Sequence, residues 1–432
     1  MKRSFADILT QLDGDRAQKV ARKLPAWASA DIEIPSALSL EQCSSSATAD
    51  YKAGLAAAAI GISEPDGQCR GQTRSQQAGL FSNPLHPLPG GHFPPGWLRE
   101  REGPAPTAVG GMSEAKVCRG SCPSGLILDL TGGLGVDSWA FSQVAERVVY
   151  FEQNAELAAA AGRNFAKLGA DNIEVRNETV TPETELPEAD LIYADPARRN
   201  AAGRKVFLLV DCTPDILTLL PMLLRKAPVV LLKLSPMADL AMLADRLGPA
   251  LREIHVVESD GEIKELLCLL VRDAGPAEPE IVLVRLSGQA DRLRFKASEE
   301  RAAEARFAAG VQAGDTLLEP SPALLKAGAF KLPCGRWGLE KLAPSTHLYL
   351  GEAVPWFKAW RVLEVLPFGA AAFKQLKRSY PRAEITARNL PLGSDALRKK
   401  LGIAPGGDAH IFACRLADGG AVLLACTRQD AL

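Results

Sequence analysis

From Gly125 onward, hydrophobic positions fall in short, nearly unbroken runs separated by stretches of helical period. GLILDLT, VVYFEQN, NIEVRNE, ADLIYADP and VVLLKLSP are such runs, and helical segments lie between them at 138–147, 155–168, 214–226 and 238–247. Strands that are apolar along their whole length are buried on both faces, so strand alternating with helix predicts a parallel sheet covered on both sides. LREIHVVES and ELLCLLVRD follow, separated by Asp260-Gly261, which is a hairpin signal. The predicted fold is a doubly wound, seven-stranded, Rossmann-like α/β sheet whose last two strands are antiparallel.

The flanking patterns differ. Phe5, Ile8, Leu9 and Leu12 have helical spacing, and a second helix is expected from Ser39 to Leu55, opened by a Ser39/Gln42 capping box. Residues 64–124 are rich in Gly, Pro, Ser and Gln and hold no period of 2 or 3.6, which predicts a disordered insertion or linker. After the sheet, EIVLVRLS and RLRFKAS read as a small hairpin and THLYLGE as a strand. From Trp360 the order is β-α-β-α-β-β, a small α+β domain, with Ser394 as a helix N-cap and a final hairpin turning at Asp418-Gly419-Gly420.

Composition narrows the class. The 50 Lys+Arg residues nearly cancel the 51 Asp+Glu, so no global field draws the chain to nucleic acid or membrane, and any such patch is local. No apolar run is long enough to span a bilayer, and acids interrupt the apolar part of MKRSFADILTQLDGDR, so neither a membrane helix nor a cleaved leader is expected. Nine scattered cysteines without a CxxC pair predict reduced thiols in a cytoplasm, and five scattered histidines argue against a metal site.

The chemistry concentrates at strand ends. DLTGGLGVD (129–137) follows a strand and opens a helix, so its glycines allow close backbone approach to a ligand at an electropositive helix N-terminus. GxxxxGK[ST] is absent, the third glycine of a dinucleotide fingerprint is replaced by Ser138, and Asp129 repels a pyrophosphate. An acid there suits a cationic nucleoside such as S-adenosylmethionine. Glu152, ending the second strand, is placed to accept from both ribose hydroxyls, and Glu178 or Asn177 from the adenine amino group.

DLTGGLGVD, YFEQN and YADPARR resemble motifs of class I S-adenosylmethionine-dependent methyltransferases, and the likeness is strongest to a bacterial subgroup with a THUMP-like C-terminal domain. LEQCSSSATADYKA (40–53), LLKLSPMAD (231–239), EIKELL (262–267), EPSPALLKAGAF (319–330) and ITARNLPL (385–392) extend the resemblance over most of the chain except roughly 64–124. Pattern and composition give a helical segment at 1–63 and the insertion at 64–124; with them the resemblance implies a methyltransferase domain at 125–275, a ferredoxin-like domain at 279–325 and a THUMP-like domain at 358–430. It also implies a cofactor site formed by Asp129, Thr131, Gly132, Gly133, Gly135, Asp137, Glu152, Gln153, Asn177 and Glu178.

At the fourth strand's tip, Asp195-Pro196 fixes a turn that presents a carboxylate to the group awaiting methylation, and Arg198 and Arg199 follow, suited to phosphate or base. An aromatic clamp, expected after Asn/Asp-Pro-Pro in related N-methyltransferases, is missing. Lys233, near the fifth strand's end, is either a partner that assists deprotonation or a structural mate of Asp195 or Glu265. Residues 356–405 carry ten basic and three acidic residues, a local +7, with Lys374, Lys377 and Arg378 on one helix face and Arg388 and Lys399 nearby. Together with the THUMP-like resemblance, this predicts a base-nitrogen methyltransferase of tRNA or rRNA. The alternatives are a protein or small-metabolite methyltransferase, or a ribose 2′-O-methyltransferase.

Overall fold

A computed structural model describes residues 17–61, 125–197, 214–287 and 291–429. The expected helix at 5–12, the 64–124 insertion, Arg198 and Arg199 lie outside the described residues. The chain divides into two compact units: residues 1–257 with 265–279 and 285–291, and residues 258–264, 280–284 and 292–432.

The larger sheet is built from β1 (Leu126–Asp129), β2 (Arg147–Phe151), β3 (Ile173–Arg176), β4 (Leu191–Ala194), β5 (Val229–Leu234), β6 (Leu251–Ser259), β7 (Glu262–Val271), β8 (Glu280–Arg285) and β9 (Asp291–Lys296). Their order is β3-β2-β1-β4-β5-β7-β6-β8-β9. Among the described residues the sheet therefore has nine strands where the pattern predicts seven. Ile281–Val284 of β8 are buried, and the backbone groups of a buried strand need ladder partners, so the expected small hairpin is part of the sheet. β1 to β5 pair in parallel, and β7 runs antiparallel to β5. Asp260 and Gly261 both adopt positive φ, 54° and 74°, as a two-residue hairpin turn requires. All of β4 and β5 is buried, which is why these strands read as unbroken apolar runs. The strand order reverses between β1 and β4, so the crevice beyond their C-terminal ends is the place for a ligand.

The N-terminal segment departs from the expected single helix. Helix Ala37–Gln42 is capped by Ser36, and helix Ser46–Ala59 by Ser45, each hydroxyl accepting from a backbone N–H three residues on. The break at Cys43 to Ser45 arises because this serine-rich run offers a cap that competes with helix continuation. It leaves Ser44 at the joint, with its side chain turned inward. The second helix packs against helix Val136–Ser142, which follows the glycine loop.

The second unit holds β10 (Thr316–Pro320), β11 (Glu340–Ala343), β12 (Thr346–Leu350), β13 (Phe357–Pro367), β14 (Arg382–Arg388), β15 (Ala404–Arg415) and β16 (Ala421–Arg428), in the order β11-β12-β10-β13-β16-β15-β14. Helices Ala370–Ser379 and Ser394–Leu401 give the expected β-α-β-α-β-β order and bury Leu376, Leu397 and Leu401 against Ile411 and Leu423. Ser394 is the first helical residue rather than the cap, because Gly393 takes that position and the Ser394 hydroxyl accepts from Ala387 N–H at 3.0 Å. Among the described residues, no helix is long and apolar enough to cross a membrane.

Candidate active site

The glycine loop leaves β1 and turns into helix Val136–Ser142. A Cβ on Gly132 would lie 1.9 Å from the Tyr150 ring, and one on Gly135 2.5 Å from Phe165, so packing demands both glycines. Gly133 differs: at φ +58° its missing side chain would meet nothing closer than 3.8 Å, the Thr131 carbonyl. The loop is thus packed on one side and open at Gly133, a cradle that any side chain would fill.

Two carboxylates shape this cradle. Glu152, just past β2, accepts from Gly133 N–H at 2.9 Å through Oε2 and from Asn154 N–H at 2.8 Å through Oε1. Each oxygen keeps a further lone pair, the donor-seeking geometry that a ribose diol satisfies. Asn177 donates to the carbonyls of Glu152 (2.7 Å) and Gln153 (3.2 Å), holding the ends of β2 and β3 together. Gln153 and Glu178 are exposed beside them. Asp129 is 1 % exposed and accepts from Thr131 N–H (3.1 Å) and the Ser138 hydroxyl (2.5 Å). Burial pushes its pKa up to about 7, the Ser138 hydrogen bond opposes this, and the Asp137 and Asp195 carboxylates add to it. A cationic ligand stabilises such a carboxylate. The open Gly133 face, the ribose-competent Glu152 and the acid at the loop's base therefore fit S-adenosylmethionine.

The strand tips carry a second constellation. Asp195 N–H donates to Thr131 Oγ1 at 2.6 Å, tying the β4 tip to the loop. The Asp195 side chain is 30 % exposed, and its Oδ2 accepts from Lys233 Nζ at 2.6 Å. Behind this pair the charges are buried. Asp137, expected among the cofactor contacts, instead accepts through Oδ2 from the Ser44 hydroxyl and the Tyr193 hydroxyl, both at 2.8 Å. Lys52, with no exposed side-chain surface, donates to Glu265 at 2.8 Å and to Ser44 at 3.1 Å. It also lies 3.3 Å from Asp137 Oδ1, near enough to pair by charge though not aligned as a hydrogen bond. Lys233 reaches Ser44 at 3.4 Å, which closes the network.

The electrostatics follow from these contacts. Burial works against the Lys233 ammonium, but Asp195, Glu265 and Asp137 outweigh it, and its pKa is raised. Lys233 is therefore a fixed cation and not a base. Burial likewise opposes ionisation of Asp137, but Lys52, Lys233 and two hydroxyl donors hold its pKa below the ordinary value. For Glu265, burial prevails over Lys52 and Lys233, and the pKa is raised. Asp195 thus presents a half-open carboxylate, backed by a permanent cation, where the crevice meets the glycine loop.

Ser44, Lys52 and Tyr193 are absent from the residues that the sequence nominates for the site. A signal exists for Lys52: Thr48, Tyr51 and Lys52 share the buried stripe of an alanine-rich helix, where apolar residues are expected. Tyr51 also bonds His255 at 2.8 Å. In the second unit, Lys374, Lys377, Arg378 and Lys399 are exposed, whereas Arg388 is half-buried and paired with Glu319 at 3.3 Å. Pro196 is buried at the turn after Asp195. No cluster of three or more His, Cys, Asp or Glu suited to a metal occurs among the described residues.

Residues 357–428 match the THUMP domain-like family, and residues 317–357 a ferredoxin-like domain. A crystal structure from Porphyromonas gingivalis W83, described as that of a methyltransferase, is 30% identical and superposes with a TM-score of 0.72 over 96% of this chain and 89% of that one. Two proteins of Mycobacterium tuberculosis, from strains CDC 1551 / Oshkosh and ATCC 25618 / H37Rv, carry the description S-adenosylmethionine-dependent methyltransferase. Each is 29% identical over 283 residues, 64% of this chain and 73% of the relative. The chain belongs to the class I S-adenosylmethionine-dependent methyltransferases, in the bacterial subgroup with a THUMP-like C-terminal domain, and S-adenosylmethionine is its cofactor.

Proposed function

We propose that the chain methylates RNA in the cytoplasm, at a base nitrogen of tRNA or rRNA. The observation that carries the transfer chemistry is the Asp195–Lys233 pair at 2.6 Å beside the glycine loop. When bound, the cofactor supplies a methyl group on a sulfonium, so no covalent enzyme intermediate is needed. Thr131, Gly132, Gly133 and Gly135 frame its space, Glu152 and Gln153 take the ribose side, and Asn177 or Glu178 the adenine. Asp195 accepts a hydrogen bond from the acceptor N–H, aims the lone pair, and is the nearest base for the proton released as the N–C bond forms. Lys233 holds that carboxylate in place through its 2.6 Å contact. Pro196 sets the turn, and Arg198 is proposed to contact a phosphate of the acceptor. The fixed ammonium of Lys233 favours a second reading, a ribose 2′-hydroxyl acceptor, because a neighbouring cation lowers a hydroxyl's pKa.

RNA as the acceptor is supported by the local +7 of residues 356–405 and by the exposure of Lys374, Lys377, Arg378 and Lys399. Changing Lys374, Lys377 and Arg378 to Glu is expected to weaken binding to total tRNA and to flatten its salt dependence, while cofactor binding is unchanged. RNA affinity equal to wild type across the salt series would show that the acceptor is not RNA held by this face, and would move the protein or metabolite reading ahead.

Two tests concern the cofactor. Glu152→Ala is expected to raise the S-adenosylmethionine Kd by about tenfold to a hundredfold, the effect of leaving ribose hydroxyls unpaired. Gly133→Arg is expected to abolish binding by filling the cradle. Calorimetry giving wild-type affinity for both variants would contradict the assignment. The second test follows from Asp129, whose pKa is pushed up to about 7. The free protein binds a proton there as pH falls below that value, and a cationic ligand favours the deprotonated form. Affinity is therefore expected to increase with pH, by about tenfold from pH 6 to pH 8, and Asp129→Asn should remove this dependence. Affinity that is flat across this window in the wild type would contradict it.

A further inference from the structure

The two helices of the second unit cover one face of the strands β13, β16, β15 and β14 with Ala383, Ile385, Ile411 and Leu423. Residues one position away point to the other face. Strand register puts Trp360 opposite Arg428, His410 opposite Cys426, and Glu384 opposite His410. On this helix-free face Leu317, Val362 and Phe412 are buried, and toward one end the row emerges as half-buried His410 and Trp360. His410 stacks on Phe412 with centroids 4.2 Å apart and lies 4.6 Å from Trp360. The Arg428 guanidinium, on an exposed side chain, sits 5.2 Å over the Trp360 ring. Thr386 bonds His410 Nε2 at 2.8 Å. Lys358 is exposed on the same face, one strand pleat from Trp360.

A hydrophobic core explains Phe412 but not an aromatic row that runs out among cations. Of the acids nearby, Glu319 pairs with Arg388 and Glu384 with Arg398, while Asp408 is exposed two residues before His410. Lys358 and Arg428 outnumber Asp408 at this rim. His410 is a neutral ring at pH 7. Burial, with Lys358, Arg388 and Arg398 acting against Glu384, pushes its pKa down to about 4. The Trp360 indole N–H finds no acceptor among the described residues. Flat rings and a guanidinium plane offer stacking to a ligand with exposed π-faces, and the flanking cations match a phosphate backbone. A duplex presents the phosphates but not the π-faces, since its bases are already stacked on one another.

We propose that this helix-free face binds single-stranded RNA, stacking unpaired bases on the Trp360–His410–Arg428 row. The proposal rests on the RNA reading above and specifies its substrate as unpaired nucleotides. It assigns base contact to a face other than the one bearing Lys374, Lys377 and Arg378, and so gives a different signature. Stacking losses from neutral side chains lower affinity without altering the salt slope, whereas phosphate contacts alter the slope.

The test uses the full chain and a fluorescent twelve-nucleotide mixed-sequence RNA, single-stranded or annealed to its complement, read by anisotropy across a salt series. The single strand is expected to bind at least tenfold more tightly than the duplex. Trp360→Leu and His410→Ala are each expected to weaken it by about fivefold to a hundredfold at unchanged salt slope. Arg428→Gln, at an exposed position, repeats the test where a core variant fails to fold. Equal affinity for duplex and single strand, or wild-type binding by Arg428→Gln and by the folded ring variants, would overturn the proposal while leaving RNA as the substrate. Polyglutamate bound as tightly as RNA would reassign the face to acidic proteins. A wild-type chain that binds no RNA at all would overturn both readings.

Discussion

Lys52→Ala is expected to destabilise the chain by about 3–5 kcal/mol, enough to unfold a marginal domain. The side chain has no solvent exposure, and it faces Glu265, Asp137 and Ser44 at 2.8, 3.3 and 3.1 Å. Its removal leaves two buried carboxylates with Lys233 as their remaining cation. A buried pair adds little net stability over an apolar substitute, but breaking one side leaves an uncompensated charge. Denaturant unfolding should therefore show a large loss for Lys52→Ala and a partial recovery when Glu265→Gln is added. A loss under about 1 kcal/mol for the single variant would show that water or rearrangement relieves the charge, and that the network is not closed.

Asp195→Ala is expected to lower kcat by roughly a hundredfold to ten-thousandfold with little change in the cofactor Kd. The contact that ties Asp195 to the glycine loop is made by its backbone N–H to Thr131, which alanine retains. Lys233 keeps Glu265 and Asp137 as neighbours and so stays charged. What disappears is the half-open carboxylate at the mouth of the crevice. Asp195→Asn should retain the hydrogen-bond acceptor but not the base, so the gap between the two variants measures the proton's share. Undiminished turnover in Asp195→Ala would make the Asp-Pro turn a structural feature only.

The parallel core was legible because strands buried on both faces read as continuous apolar runs, VVLLKL of β5 being the clearest. The Asp260-Gly261 turn was legible because two successive positive φ values leave few residue choices. Local pattern says less about which edges meet, so the expected separate hairpin at 280–296 proved to be β8 and β9 of a nine-stranded sheet. Competing caps were also missed. Ser36 and Ser45 divide one expected helix into two, and that break is what delivers Ser44 to Asp137, 93 residues away in the chain. The glycine loop and Asp195 are local motifs at strand ends, and sequence reading finds them. Lys52–Glu265 spans 213 residues, and its meaning exists only once the helix has packed on the sheet.

The most direct test of the account is methyl transfer itself. Wild-type chain and Asp195→Ala would be incubated with methyl-labelled S-adenosylmethionine and total RNA from a strain lacking the gene, and the RNA digested to nucleosides. Label is expected in a single modified nucleoside with the wild type, reduced at least about a hundredfold with Asp195→Ala. Label confined to protein or small molecules, or equal transfer by both chains, would contradict it.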